Sequence, residues 1–276
     1  MGNKLTKHQI EFYKRDGFLS PVDIFTEDEA AELRVALEQA EANWPEAFVG
    51  ANRNNAHYNI TVLDEIVHNT GLLDSVEDLI GPDILNYGTV LFIKEAHDPG
   101  FVSWHQDARY MGLEPHVGVT AWLALSPSNA ESGCMRMIPG SHRGEMRDHN
   151  DTFGEENILT RGQEIVDVDE TKAVEILLRP GQVSFHCPRV IHSSEPNNSD
   201  DRRIGFAIQS YLPPNVVQTK ARTHAQLVRG NDPYANFEIA PRPSRDMAPD
   251  DVVLRDRVNA TWARILYEGS QKRRDY

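Results

Sequence analysis

With 276 residues, of which 39% are hydrophobic and 25% charged, the chain has an ordinary globular composition, long enough for one large β domain and without an apolar run that would cross a bilayer. Acidic residues outnumber basic ones 42 to 28, and the net charge of -14 excludes nucleic acid and anionic membranes as expected partners. Cys134 and Cys187 make no disulfide framework and read as buried, inert thiols; with no apolar stretch after Met1 to Lys7, the expected location is the cytoplasm.

The first eighty residues read as helical. Thr6 caps a short helix through Arg15 that Gly17 ends, and Thr26-Glu27-Asp28-Glu29 is a capping box for a second helix through about Ala42. Leu63 to Val67 and Leu72 to Ile80 predict two shorter helices closed by Gly81-Pro82. From Ile84 the pattern turns to strands: Ile84 to Glu95, Val117 to Leu125, Met135 to Ile138, Ala173 to Leu178, Gln182 to His186 and Arg203 to Leu212. The polar stretch from His142 to Lys172 and the Pro- and charge-rich one from Pro213 to Asp250 interrupt this run as lids or surface excursions, and Val252 to Leu266 predicts a closing helix. The expected organisation is a single domain, 1–276, with a helical layer over about 6–82, a strand-built sandwich or barrel over about 84–212, and a C-terminal extension and helix over about 213–276.

The chemistry concentrates in Trp104-His105-Gln106-Asp107 and, eighty-seven residues after the first histidine, His192. Two imidazoles and one carboxylate hold Fe(II) by one face and leave the other open to oxygen. In an extended segment His105 and Asp107 point the same way, so both can chelate while Gln106 faces elsewhere. Zinc accepts the same three ligands. Eleven histidines among so many acids also make a chance surface pair a serious alternative for the His-x-Asp alone. Arg203, eleven residues beyond His192, can pair with a dicarboxylate; period two puts it on one strand face with Gly205 and Ala207, opposite Ile204, Phe206 and Ile208, and turns Arg202 away. His142 and His186 read as structural histidines, and His57, His97 and His116 lack paired spacing for a metal.

Trp104-His105-Gln106-Asp107, the stretch Gly133-Cys134-Met135-Arg136-Met137-Ile138-Pro139-Gly140-Ser141-His142, and Pro180-Gly181-Gln182 ahead of His192 resemble the phytanoyl-CoA dioxygenase family of Fe(II)/2-oxoglutarate oxygenases, from about Thr6 to Leu212. The resemblance implies a double-stranded β-helix, the cupin-like jelly roll, mainly β with flanking helices and an N-terminal helical layer. It implies iron on His105, Asp107 and His192, the distal carboxylate of 2-oxoglutarate on Arg203 and Ser194, Trp122 and Lys94 as walls of the cosubstrate pocket, and O2 as co-reactant. It also implies that Gly133 and the Pro139 to His142 turn set backbone geometry.

For the substrate, alternation continued from Asp107 brings Arg109 to the same side, and the segment Arg53, Asn55, His57, Tyr58 and Asn59 is expected to roof the pocket. Arginine with amides suits a phosphonate or carboxylate, and Tyr58, Tyr110 and Trp44 suit a quaternary ammonium. The expected substrate is therefore a small zwitterion or anion. Within the family the sequence resembles the branch hydroxylating 2-aminoethylphosphonate or 2-(trimethylammonio)ethylphosphonate at the carbon bearing phosphorus, which makes such a compound the expected substrate. A carboxylate-bearing metabolite (a compatible solute, a secondary-metabolite precursor or an acyl-CoA) and a metal-binding cupin without turnover stand as alternatives.

Overall fold

A computed structural model describes residues 4–274. Both expected N-terminal caps form, and the one at Thr6 proves to be a full capping box like that at Thr26. Thr6 and Gln9 exchange bonds at the start of Lys7–Asp16, which Gly17 ends at φ +85, and Thr26 and Glu29 do the same at the start of Glu27–Asn43. Helices Thr61–Val67 and Thr70–Ile80 complete the layer.

That layer is not wholly helical. Phe18–Asp23 is a strand, antiparallel to Gln182–His186, at the edge of the larger sheet. Pro21 has no N–H to give a ladder, an edge is where a sheet tolerates one, and the register shifts between Leu19 and Val22. The larger sheet runs from this edge through Gln182–His186 and Val119–Ala124 to Arg203–Leu212. Arg203–Leu212 then pairs with both Ile84–Asn86 and Thr89–Lys94, two strands where the sequence predicts one. The segment from Pro213 is likewise more than a surface excursion, since His224–Arg229 extends the sheet from Ile84–Asn86. A four-stranded sheet faces it, in the order Val174–Ile176, Met135–Met137, His192–Ser194, Val102–His105. Mostly antiparallel strands in two facing sheets make this a jelly roll with helices outside it.

Alternation sorts the larger sheet. Leu123, Phe185, Ile204, Phe206 and Ile208 enter the main core with Leu63, Leu72 and Val76 of the helices, while Trp122, Ala124 and Ala207 pack between the sheets with Met135 and Met137. Helix Pro249–Leu266 closes the far side, its Trp262 stacked on Tyr87 at 5.0 Å between centroids. No helix of the described residues is long and apolar enough to cross a membrane.

Candidate active site

His105 ends one strand of the small sheet and His192 begins its neighbour, and the two are paired directly across the ladder. Their rings lie 4.1 Å apart between centroids. The chain leaves the strand at His105, so Asp107 stands not in extended backbone but at the start of the short helix Ala108–Met111. That turn still carries its carboxylate back: Asp107 Oδ1 is 3.3 Å from His105 Nε2 and 4.0 Å from His192 Nε2, and one donor atom from each residue falls within 4.8 Å of the others.

The donor chemistry fits a divalent metal. His105 Nδ1 donates to Ser103 O at 2.8 Å and His192 Nδ1 to Val190 O at 3.0 Å, which fixes the proton on Nδ1 and leaves both Nε2 lone pairs facing Asp107. Burial, aided by the neighbouring His105, pushes His192 down to about 3, so its imidazole is neutral. Burial alone would raise the Asp107 carboxyl, but contacts with His105 and His186 and the nearby His192 hold it well below the usual range. Gln106 braces the loop between the donors through Arg189 O and Arg147 N.

A pocket of about 60 Å³ leads from the metal donors to Arg203, past Thr120, Trp122, His186 and Ser194. Gly205 makes room for Trp122, whose indole lies where a Cβ would be, 1.9 Å away, and the Arg203 guanidinium sits 5.2 Å from the indole ring. Arg203 Nη1 donates to Gly133 O at 2.8 Å. Gly133 itself, at φ +68, has no space for a side chain against Glu195 O. Arg203 is buried, and among the described residues no carboxylate pairs with it; its Nε and the nearby Thr120 Oγ1, His186 Nδ1 and Ser193 Oγ are buried without partners. Such a pocket fits a small dianion with several acceptors. Lys94 is held differently from expectation: its Nζ donates to Ser194 Oγ at 2.9 Å and to Glu195 O, so it stands behind Ser194 rather than on the pocket surface, and burial beside Arg203 pulls it down to about 7.

On the other side of the metal donors a larger cavity of about 340 Å³ opens, walled by Tyr87, Phe92, Tyr110, Trp262 and Leu266 and reached by Asn54, Glu155 and Gln209. Of the expected substrate residues Arg53 and Tyr110 line it. Arg109 belongs to the short helix rather than to an alternating strand, and it points to solvent. Asn55, His57, Tyr58 and Asn59 are buried outside the cavity. Asn55 binds Asn259 and Thr89 N, His57 lies between Thr89 Oγ1 and Asn86, and Asn59 meets Met247, so these polar groups join the helical layer to its neighbours. Tyr58 packs in the core cluster of Tyr87 and Trp262, and Trp44 packs against the main core. His142 serves the structural role expected of it, bonded to Lys14 O at 3.2 Å. Cys134 is buried and Cys187 half-buried, with burial pushing both thiols up.

The C-terminal helix is a cavity wall that no chemical motif marks, although Val258, Trp262 and Ile265 have the spacing of one helix face. The 142–172 stretch supplies the roof through Asn157, Leu159 and Thr160. Two arginines tie roof to helix: Arg161 Nη1 donates to Leu266 O and Glu268 O, and Arg274 donates to Gly154 O, Asn157 O and Leu159 O.

A family model described as phytanoyl-CoA dioxygenase (PhyH) matches residues 13–205. The chain belongs to this family. The class of chemistry that goes with PhyH membership is that of the non-haem Fe(II), 2-oxoglutarate-dependent oxygenases. A probable alpha-ketoglutarate-dependent hypophosphite dioxygenase of Stutzerimonas stutzeri is 29% identical over 170 residues, which is 58% of this chain and 57% of that protein. The peroxisomal phytanoyl-CoA dioxygenase of Homo sapiens is 30% identical over 137 residues, 48% of this chain and 40% of that protein. The chain thus spans about half the length of these curated relatives. A solved structure described as the non-heme monooxygenase ThoJ, in its apo form, superposes with a TM-score of 0.84 at 32% identity, covering 96% of this chain and 100% of that one.

Proposed function

We propose that this PhyH-family protein is an Fe(II)- and 2-oxoglutarate-dependent hydroxylase of a small metabolite, with His105, Asp107 and His192 as metal ligands. The observation that carries the reading is one pocket with two free Nε2 donors and an ionised carboxylate at one end and a buried, acid-free guanidinium at the other. With iron and both co-reactants bound, the site supplies the oxidant that converts R–H, O2 and 2-oxoglutarate into R–OH, succinate and CO2. The chain's own part is placement. Arg203 and Ser194 hold the distal carboxylate, Lys94 steadies Ser194, Trp122 forms a flat wall, and the backbone carbonyls of Ser103 and Val190 keep both imidazoles in the ligand tautomer. Zinc suits the three donors equally, but a hydrolytic zinc site gives no reason for an unpaired buried guanidinium. The same argument disfavours a metal-binding cupin without turnover. Anaerobic addition of Fe(II) and 2-oxoglutarate should produce a charge-transfer absorption band; its absence in correctly folded protein refutes the assignment.

For the substrate, the cavity supports half of the expected zwitterion. Tyr87, Tyr110 and Trp262 offer aromatic faces to an amine or quaternary ammonium, with Glu155 at the rim. A phosphonate finds no free guanidinium there, because Arg53 is spent on Phe48 O and Ile93 O, and Arg274 on the roof carbonyls. We therefore favour a small amine-bearing metabolite. Within that class the aminophosphonates 2-aminoethylphosphonate and 2-(trimethylammonio)ethylphosphonate draw support from the hypophosphite dioxygenase relative. A panel of amines, betaines, aminophosphonates and acyl-CoA compounds, read by succinate release and oxygenated product, decides the class. Release with acyl-CoA compounds alone overturns it.

A further inference from the structure

The Arg203–Leu212 strand sends Arg203 and Ala207 into the metal-side pocket and Ile204, Phe206 and Ile208 into the core on its other face. Strict alternation would put Tyr211 in the pocket. Instead Tyr211 joins Ile208 in the core, because the strand holds one extra residue there: Ile208 pairs with Ala121 and Tyr211 with Val119, so three steps on one strand answer two on the next. Ser210 takes φ +75, a conformation that costs any residue but glycine, and its buried hydroxyl meets only the Met111 sulfur, at 3.8 Å. The ladder on the other flank persists, with Gln209 N donating to Gly88 O at 2.7 Å and Tyr87 N to Ser210 O at 3.1 Å.

This bulge leaves Gln209 as the last inward side chain of the row that begins at Arg203. Gln209 reaches both the metal-side pocket and the larger cavity, a position it shares with Phe92, His105, Asp107 and Leu159. Two of those four are metal donors and two are apolar, which makes the Gln209 carboxamide the free polar group at the neck. No described residue bonds to it, so the fold gains no hydrogen bond from an amide that the bulge aims there.

We propose that Gln209 is a specificity-determining residue: its carboxamide bonds a polar group of the substrate beside the C–H bond to be oxidised and so sets which carbon faces the metal. This inference rests on the hydroxylase reading. The test uses wild type, Gln209→Met and Gln209→Ala with Fe(II) and 2-oxoglutarate, the panel of amines, betaines and aminophosphonates, and a low-molecular-mass metabolite extract. Succinate, products heavier by one oxygen, the carbon oxidised and the anaerobic absorption band are measured. Both variants should form the band, yet raise the substrate KM at least tenfold or move the oxidised carbon, with succinate outrunning product. Methionine preserves bulk where alanine opens the neck, so a folding failure of one variant leaves the other to decide. KM, coupling and oxidised carbon that stay as in wild type overturn the proposal. So does loss of the band in a folded variant, since Gln209 would then serve the cosubstrate. If the wild type oxygenates nothing, the hydroxylase reading falls and takes this inference with it; if the wild type oxygenates a substrate and both variants match it, the inference falls alone.

Discussion

On the proposed metal side, His105 and His192 stand on paired strands of the smaller sheet and Trp122 and Arg203 on paired strands of the larger one, and each polar head is fixed by a backbone carbonyl or faces a small buried pocket. On the substrate side, Trp262 and Leu266 come from a helix outside the sheets, Leu159 and Thr160 from an irregular stretch, and the walls are mostly apolar. On the proposed reading, the groups that hold metal and cosubstrate stand mostly on paired strands, Asp107 at a helix start excepted, whereas the groups proposed to meet the substrate sit on segments whose sequence can change without disturbing them.

The sharpest break of this division is removal of a donor. Asp107→Ala or His192→Ala should lower turnover on the order of a thousandfold or more, about 4 kcal/mol, with loss of the absorption band, as judged by anaerobic titration and succinate assay. Arg203→Met should raise the KM for 2-oxoglutarate by roughly thirty- to a thousandfold, about 2–4 kcal/mol, while metal binding persists. Because it removes a buried charge that lacks an acidic partner, the same substitution should leave the cosubstrate-free protein as stable as wild type or more so, by thermal unfolding. Trp262→Ala tests the other side: a loss of about 3 kcal/mol in urea unfolding and altered substrate preference, with the absorption band retained. The smallest effect concerns Lys94, which burial beside Arg203 holds at about 7 against 10.5 for a free lysine. Between those values the unfolded chain carries a proton that the folded one lacks, so stability should rise with pH across that window. Lys94→Met should flatten this rise in urea titrations at several pH values.

Much of this was legible in the residues. Caps at Thr6 and Thr26 act within one turn, and the strand Gln182–His186 and the 203–208 part of Arg203–Leu212 alternate without a break, so local pattern and final structure agree there; the bulge at Ser210 leaves no such mark. The proximity of His105 and His192 follows from their types and strand context, while Asp107 joins them from a helix start and not from the extended segment expected of it. Arg109 failed because alternation was carried across Asp107, where the chain turns into a helix. Asn55, His57 and Asn59 failed because polar side chains before a barrel can line a pocket or satisfy buried backbone, and only tertiary packing decides which. The wall formed by Trp262 depends on where a distant helix docks, which no local pattern records.

The crossed backbone contacts of Arg161 and Arg274 have a practical side. Each guanidinium grips carbonyls on the other's segment, so roof and terminal helix are fastened at two points near the substrate cavity. A substitution of Arg161 or Arg274 would release one of those fasteners directly. Variants at these two arginines are therefore the ones in which substrate preference, rather than metal binding, should drift first.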